Sequence, residues 1–136
     1  MSLIKEIFTE LKLTGVDLRK ILRDEITTKN KWERIITSPS SNTSYYLPEI
    51  GGIDFKTWCI VTFLIKADQP CTAALEFSKD GVNFSELSGY RIEPADWDTT
   101  RYNNILTDLG FYYGRLKVTT GSVAPSSIEM IAIGRP

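Results

Sequence analysis

Apolar residues at the start of the chain recur every three or four positions, which is the spacing of one face of an α-helix. A second stripe of the same period follows a capping signal at Thr14, Gly15 and Asp17. Residues 1–26 are therefore predicted to form one or two short helices. The first apolar stripe consists of Leu3, Ile4, Ile7, Phe8 and Leu11.

From residue 27 onward the apolar positions alternate with a period of two, which is typical of β-strands. The clearest example is residues 57–66, where Val61, Phe63 and Ile65 share one face and Ile60 and Leu64 share the other. The predicted strands are residues 31–37, 45–47, 57–66, 71–77, 111–119 and 128–133. The sequence thus predicts a mainly β protein: an antiparallel β-sandwich of about seven or eight strands over residues 27–136, with one or two N-terminal α-helices.

The segment at residues 67–70 predicts a turn between two neighbouring strands. A hairpin there would place Cys59 opposite Phe77 and Ser78, away from the second cysteine, Cys71. We therefore expect no disulfide, and we expect both cysteines to act as small buried hydrophobic side chains.

Charge and apolar run length narrow the range of partners. The chain has 16 basic and 17 acidic residues, a net charge of -1, which gives no overall attraction to a nucleic-acid backbone. Its longest apolar run, residues 58–65, is far shorter than the roughly 20 residues of a membrane-spanning helix. The N-terminus mixes acidic residues into its apolar positions and lacks a small-residue cleavage site. We expect a protein made in a cytoplasm, with no membrane and no nucleic-acid partner.

Residue types needed for catalysis are scarce. The chain contains no histidine, the usual general base and the commonest metal ligand. Asp96 and Asp98 flank Trp97, and paired carboxylates beside an aromatic ring occur in glycosidases, while the same carboxylates could hold calcium. Two residues apart on an extended segment, they fit a structural loop better. We predict no catalytic residues, no metal site and no cofactor.

Aromatic residues are frequent in and around the segment 90–102. Tyr90, Trp97 and Tyr102 are candidates for a loop that contacts a glycan or another protein. Stacking on nucleic-acid bases would need more interleaved basic residues than this segment has.

Residues 73–84 contain an apolar strand followed by Ser78, Asp80, Gly81 and the aromatic Phe84. This pattern resembles the hairpin of small β-sandwich modules on tailed-bacteriophage virions and, less closely, of discoidin-like (F5/8 type C) carbohydrate-binding domains. The sialidase Asp-box does not match, because it has a residue between Asp and Gly. The resemblance implies a sandwich fold and transfers no individual site residue.

The leading functional prediction is a non-enzymatic structural protein of a phage particle, such as a decoration, neck or tail component, located in the virion. Its predicted partners are other virion proteins or sister subunits in a homo-oligomer, contacted through the first apolar stripe. The other interpretation of the stripe is that it packs on the domain's own sheet. Removing residues 1–26 should then leave a soluble β domain that no longer oligomerises. The alternative is a carbohydrate-binding module that uses the 90–102 loop for a surface glycan.

Overall fold

The computed structural model describes residues 30–108 and 112–135. The chain divides into two units, Met1–Asn30 and Lys31–Pro136, and the described residues belong almost entirely to the second. The predicted N-terminal helices and their apolar stripe lie outside the described residues, so both stay predictions. No helix within the described ranges is long and apolar enough to cross a membrane.

Nine β-strands and one 3-10 helix are present in the described residues, which is one strand more than the upper limit of the prediction. The 3-10 helix is Pro94–Asp96. The strands are β1 (Lys31–Thr37), β2 (Ser44–Leu47), β3 (Ile53–Asp54), β4 (Ile60–Ala67), β5 (Cys71–Ser78), β6 (Ser85–Ile92), β7 (Asn103–Thr107), β8 (Tyr113–Thr120) and β9 (Ser127–Arg135).

The strands form two antiparallel sheets packed as a sandwich, which confirms the predicted class. Sheet A has the order β1-β9-β4-β7, and sheet B has the order β2-β8-β5-β6, with the short β3 also paired to β8. Every pairing within the two sheets is antiparallel. The two inner faces enclose the core, while each sheet also presents one outer face.

Alternation along the strands produces that core. Val61, Phe63 and Ile65 of β4 are completely buried, as their period-two spacing predicted. Leu116 and Val118 of β8 are buried opposite them in sheet B. Large aromatic side chains contribute much of the buried apolar area, because each ring buries about 150–250 Å². Phe55, which follows β3, is only 1% exposed.

Strand pairing differs from the sequence prediction between β4 and β5. The two strands belong to different sheets, so residues 68–70 connect one sheet to the other instead of closing a hairpin. Residues 57–59 also precede β4, because the backbone N–H groups of Thr57 and Trp58 both donate to the carbonyl of Asp54 in a turn. Cys59 is therefore exposed and the prediction for it was wrong, whereas Cys71 is buried as expected.

The turn between β5 and β6 agrees with its sequence signature. Gly81 has φ +77, a conformation that residues with a Cβ rarely adopt. The Asp80 carboxylate accepts hydrogen bonds from the backbone N–H groups of Val82 and Asn83, each at 2.9 Å, and from the Ser78 hydroxyl at 2.7 Å. The loop is thus closed by its own side chains, as in an Asx-turn.

Acid should weaken the fold through three such aspartates. A hydrogen bond from the backbone N–H of Asn83 lowers the pKa of Asp80. The Ser126 hydroxyl lowers the pKa of Asp68 in the same way. The backbone N–H of Thr100 does so for Asp98. A pKa that is lower in the folded state stabilises the fold above the unfolded value of about 4, and this contribution is lost as the pH falls through the folded value.

We therefore expect the urea midpoint of unfolding to fall steadily between about pH 5 and pH 2. Asp80→Asn should have a lower midpoint at neutral pH and a shallower pH dependence than the native chain. A midpoint that does not change over this range would contradict the assignment of these hydrogen bonds.

Candidate functional site

The 90–102 segment holds its three predicted ligand residues in different environments. Trp97 is only 8% exposed and belongs to the core. Its indole N–H donates to the carbonyl of Ala67 at 3.2 Å. Tyr90 is half-buried and packs against the same core. The glycan-binding role of this loop stays a prediction, although the Trp97 ring is buried in the core and has no open face for stacking on a sugar.

Replacing Trp97 with phenylalanine tests this core role. The variant keeps an aromatic ring but leaves the buried carbonyl of Ala67 without its donor, so we expect a loss of about 1–3 kcal/mol in the free energy of unfolding. Chemical denaturation measures the change. Tyr102→Phe removes a hydroxyl from an exposed site and serves as the control, with a smaller expected loss because water can replace its hydrogen bond. Equal effects of the two substitutions would contradict the assignment.

Tyr102 is the exposed member of the three, and it lies at the edge of sheet A. Its hydroxyl donates to the Glu129 carboxylate at 2.6 Å, and the Lys66 ammonium lies 5.5 Å from its ring centroid. Hydrogen bonding to Glu129 raises the pKa of the Tyr102 phenol, because the neutral phenol is the donor. Tyr102 therefore borders the outer face of sheet A and is separate from Trp97.

The outer face of sheet A carries an apolar surface, which we call the apolar face. Four of its large side chains are 37–61% exposed, and two others are half-buried. Strand register brings them together, because Thr62 of β4 pairs with Ile133 on one side and Leu106 on the other, and Leu64 pairs with Ile131. The apolar face consists of Ile35, Ile60, Leu64, Leu106, Ile131 and Ile133.

Charged residues of both signs surround the apolar face. Arg135 pairs with Ile60 at one end of β9, and Glu129 pairs with Lys66 at the other. On the neighbouring strand, Lys31 and Glu33 form an exposed ion pair at 3.8 Å. Balanced charge does not favour a polyanion, and an apolar centre with a polar border is typical of protein–protein interfaces.

The outer face of sheet B is polar and aromatic. Arg115 of β8 lies between the rings of Tyr46 and Phe84, with its guanidinium carbon 4.1 Å from each ring centroid. Its Nε donates to the carboxylate of Glu76 at 2.8 Å, and both side chains are largely buried. This cluster satisfies the charge of Arg115 within the protein and rigidifies the centre of the sheet.

A shallow pocket of about 140 Å³ lies beside this cluster, and we call it the sheet B pocket. A register shift in β6 forms it: Ala74 pairs with Arg91 and Glu76 pairs with Glu86, so β6 contains extra residues at this point. Gly89, at φ +90, allows the bulge. The pocket is lined by Thr72, Ala74, Glu86, Arg91, Lys117 and Thr119.

Asp96 and Asp98, the two acidic residues considered for catalysis or calcium, belong to the local structure of the loop. Asp98 accepts hydrogen bonds from the backbone N–H and hydroxyl of Thr100, at 2.9 and 2.8 Å. Asp96 lies in the 3-10 helix. Within residues 30–108 and 112–135, no three Cys, Asp or Glu side chains are grouped so that they could hold a metal ion.

The sequence analysis predicted neither the apolar face of sheet A nor the sheet B pocket. The alternation over residues 57–66 places Ile60 and Leu64 on the second face of one strand, but only the strand pairing shows that Leu106, Ile131 and Ile133 lie beside them. The signal that could have located the sheet B pocket was Gly89, because an isolated glycine in a strand often marks a bulge.

Comparison with known proteins supports the fold and no closer relationship. No protein-family model matches the chain, and no curated protein matches its sequence. The PBSX exported protein XepA has a similar structure, with a TM-score of 0.57 and 15% identity over 76% of this chain, which spans 37% of XepA. The PbXyn10C CBM in its apo form is more distant, with a TM-score of 0.41 and 11% identity over 74% of this chain and 63% of that chain. The Tobacco streak virus coat protein is also more distant, with a TM-score of 0.41 and 14% identity over 79% of this chain and 88% of that chain. At 15% identity, the likeness to XepA shows a shared β-sandwich fold alone.

Proposed function

We propose that the chain is a non-enzymatic structural module of a bacteriophage particle that assembles by packing the apolar face of one copy against that of another. The observation that carries the proposal is the apolar face itself. Half of the eight large hydrophobic side chains that are exposed in the described residues lie on it: Ile35, Ile60, Leu106 and Ile133. Such a concentration on one side of a sheet is expected for a surface that is covered in an assembly.

A second copy suits this surface because the face is self-complementary. A two-fold axis between Ile131 and Ile133 would place Arg135 of one copy over Glu129 of the other, since both residues lie three positions from Ala132 on β9. The apolar side chains would then meet at the centre of the interface. Two-fold packing of one patch on itself is the commonest arrangement in homo-oligomers.

The free energy expected for one such contact between two copies is small, which suits a particle with many repeated contacts. Burying the exposed half of four such side chains contributes about 1 kcal/mol each, or on the order of 8 kcal/mol for two copies. Association costs about 4–15 kcal/mol, so an isolated pair would be weak. Many neighbouring copies on a particle would strengthen it through multivalency.

The phage assignment is supported by the hairpin resemblance at residues 73–84 and by the fold shared with XepA, a phage protein of PBSX. The absence of histidine supports a non-enzymatic role. The chain spans about a third of XepA, so any role that it shares with that protein would concern one module.

Particle composition tests the phage assignment. Particles released from cells that encode the chain should be purified by density gradient and examined by peptide mass spectrometry. We expect the chain to sediment with the capsid and tail proteins at a fixed stoichiometry. Its recovery only in the soluble fraction, or in cells without any particle, would overturn the assignment.

A further inference from the structure

The sheet B pocket lies on the opposite side of the sandwich from the apolar face, so it stays open in the proposed assembly. Its floor is the methyl group of Ala74, which lies between two long cationic side chains because Ala74 pairs with Lys117 of β8 and with Arg91 of β6. Thr72 and Thr119 are directly paired and contribute hydroxyl groups at one end. A small residue between longer ones makes a depression in an otherwise flat sheet.

The β6 bulge determines which charges reach the pocket. Arg91 and Glu86 are five residues apart and would face opposite sides of a regular strand. The register shift places both on the outer face, where Arg91 Nη1 donates to Glu86 Oε1 at 2.6 Å. Arg91 also contacts Glu93, so its guanidinium is held on two sides and its position is fixed.

Lys117 differs from Arg91 in the contacts of its cationic group. Among the described residues, no hydrogen bond or ion pair to that group is found, although the side chain is half-buried in the pocket wall. The pocket therefore combines the Lys117 ammonium group, which no described residue pairs, with the fixed guanidinium of Arg91, the Glu86 carboxylate and two hydroxyls. Ligands for such a set need a negative charge for Lys117 and hydroxyl donors for Glu86.

We propose that the sheet B pocket binds one carboxylate-bearing sugar residue, such as a hexuronic acid, within a glycan. The carboxylate pairs with Lys117, the ring hydroxyls donate to Glu86, and they also exchange hydrogen bonds with Thr72 and Thr119. A volume of about 140 Å³ suits one pyranose ring, and the open pocket lets a chain continue along the sheet. Glu86 disfavours an inorganic anion without hydroxyl groups, such as sulfate, which brings no donor to it.

Titration of the full chain with trigalacturonic acid, followed by isothermal calorimetry or NMR chemical-shift changes, tests the proposal. A single bound sugar has few atoms, so we expect a dissociation constant on the order of 1 mM. Lys117→Met should weaken binding at least about tenfold, since an ion-assisted hydrogen bond is lost. Ala74→Leu should abolish binding by filling the floor. Neutral galactotriose should bind at least about tenfold more weakly than the acidic trimer.

Lys79→Met is the matched control, because it removes the same charge from the β5–β6 turn and should leave binding unchanged. Three outcomes would overturn the proposal. One is no binding of the acidic trimer at about ten times the expected constant. The second is that the Lys117→Met and Ala74→Leu variants, with the same circular dichroism as the native chain, bind the acidic trimer as tightly as it does. The third is sulfate binding as tightly as the sugar, which would make the pocket a simple anion site. None of these outcomes bears on assembly through the apolar face.

Discussion

Replacing Gly114 with alanine is expected to destabilise the domain by about 3–5 kcal/mol, because the added methyl group and the Phe55 ring cannot both fit. A Cβ at Gly114 would lie 2.1 and 2.3 Å from two carbons of that ring. Phe55 is 1% exposed, so the ring has no free space into which it can move. The cost should therefore approach that of removing Phe55 from the core.

Urea denaturation at neutral pH measures this loss, and Gly121→Ala is the matched control. A Cβ at Gly121 would meet only the carbonyl oxygen of Pro70, at the ordinary contact distance of 3.6 Å. We expect the control to change stability by less than about 0.5 kcal/mol. If Gly114→Ala were as stable as the control, the packing of Phe55 against β8 would be wrong.

Arg115→Met should cost about 3 kcal/mol, because it leaves the carboxylate of Glu76 buried without a partner. The Glu76 side chain is only 10% exposed, so water cannot fully replace the guanidinium. The same substitution removes the stacking of Arg115 between Tyr46 and Phe84. Arg91→Met removes two exposed ion pairs, to Glu86 and Glu93, and should cost no more than about 1 kcal/mol.

The double variant Glu76→Gln with Arg115→Met separates the two contributions. Since it leaves no buried charge, we expect it to recover about half of the loss of the single variant. Thermal unfolding at neutral pH gives the comparison. A double variant less stable than Arg115→Met would show that the unpaired carboxylate is not the main cost.

The sequence predicted individual strands well because side-chain alternation is a local property. The inward positions of β4, at Val61, Phe63 and Ile65, agree with the structure. The pairing of strands is decided over long separations, and the turn at residues 68–70 gave no local sign that β4 and β5 enter different sheets. Strands β6 and β7 were missed, since their polar residues and the β6 bulge interrupt the alternation.

Trp97 shows why the predicted ligand loop was hard to judge from sequence. Its neighbours Asp96 and Asp98 are polar, which suggested an exposed ring. In the structure, the Asn103 side chain accepts from the backbone N–H of Asp98 and donates to the carbonyl of Ile65, which fastens the segment to β4. These contacts join residues up to 38 positions apart, and no local pattern signals them.

Sedimentation equilibrium of the native chain and of a Leu106→Glu/Ile133→Glu variant tests assembly through the apolar face most directly. Leu106 and Ile133 pair with Thr62 from its two sides. The two added carboxylates would therefore lie at the centre of the proposed interface and repel those of the second copy. The matched control is Ile50→Glu, since Ile50 is 89% exposed and lies outside the apolar face. We predict that the native and Ile50→Glu chains begin to associate as the concentration rises from about 0.1 to 3 mM, the range expected of a weak pair. The double variant should keep its native circular dichroism and stay monomeric. A native chain that is monomeric over this range, or a double variant that associates as the native chain does, would contradict the account.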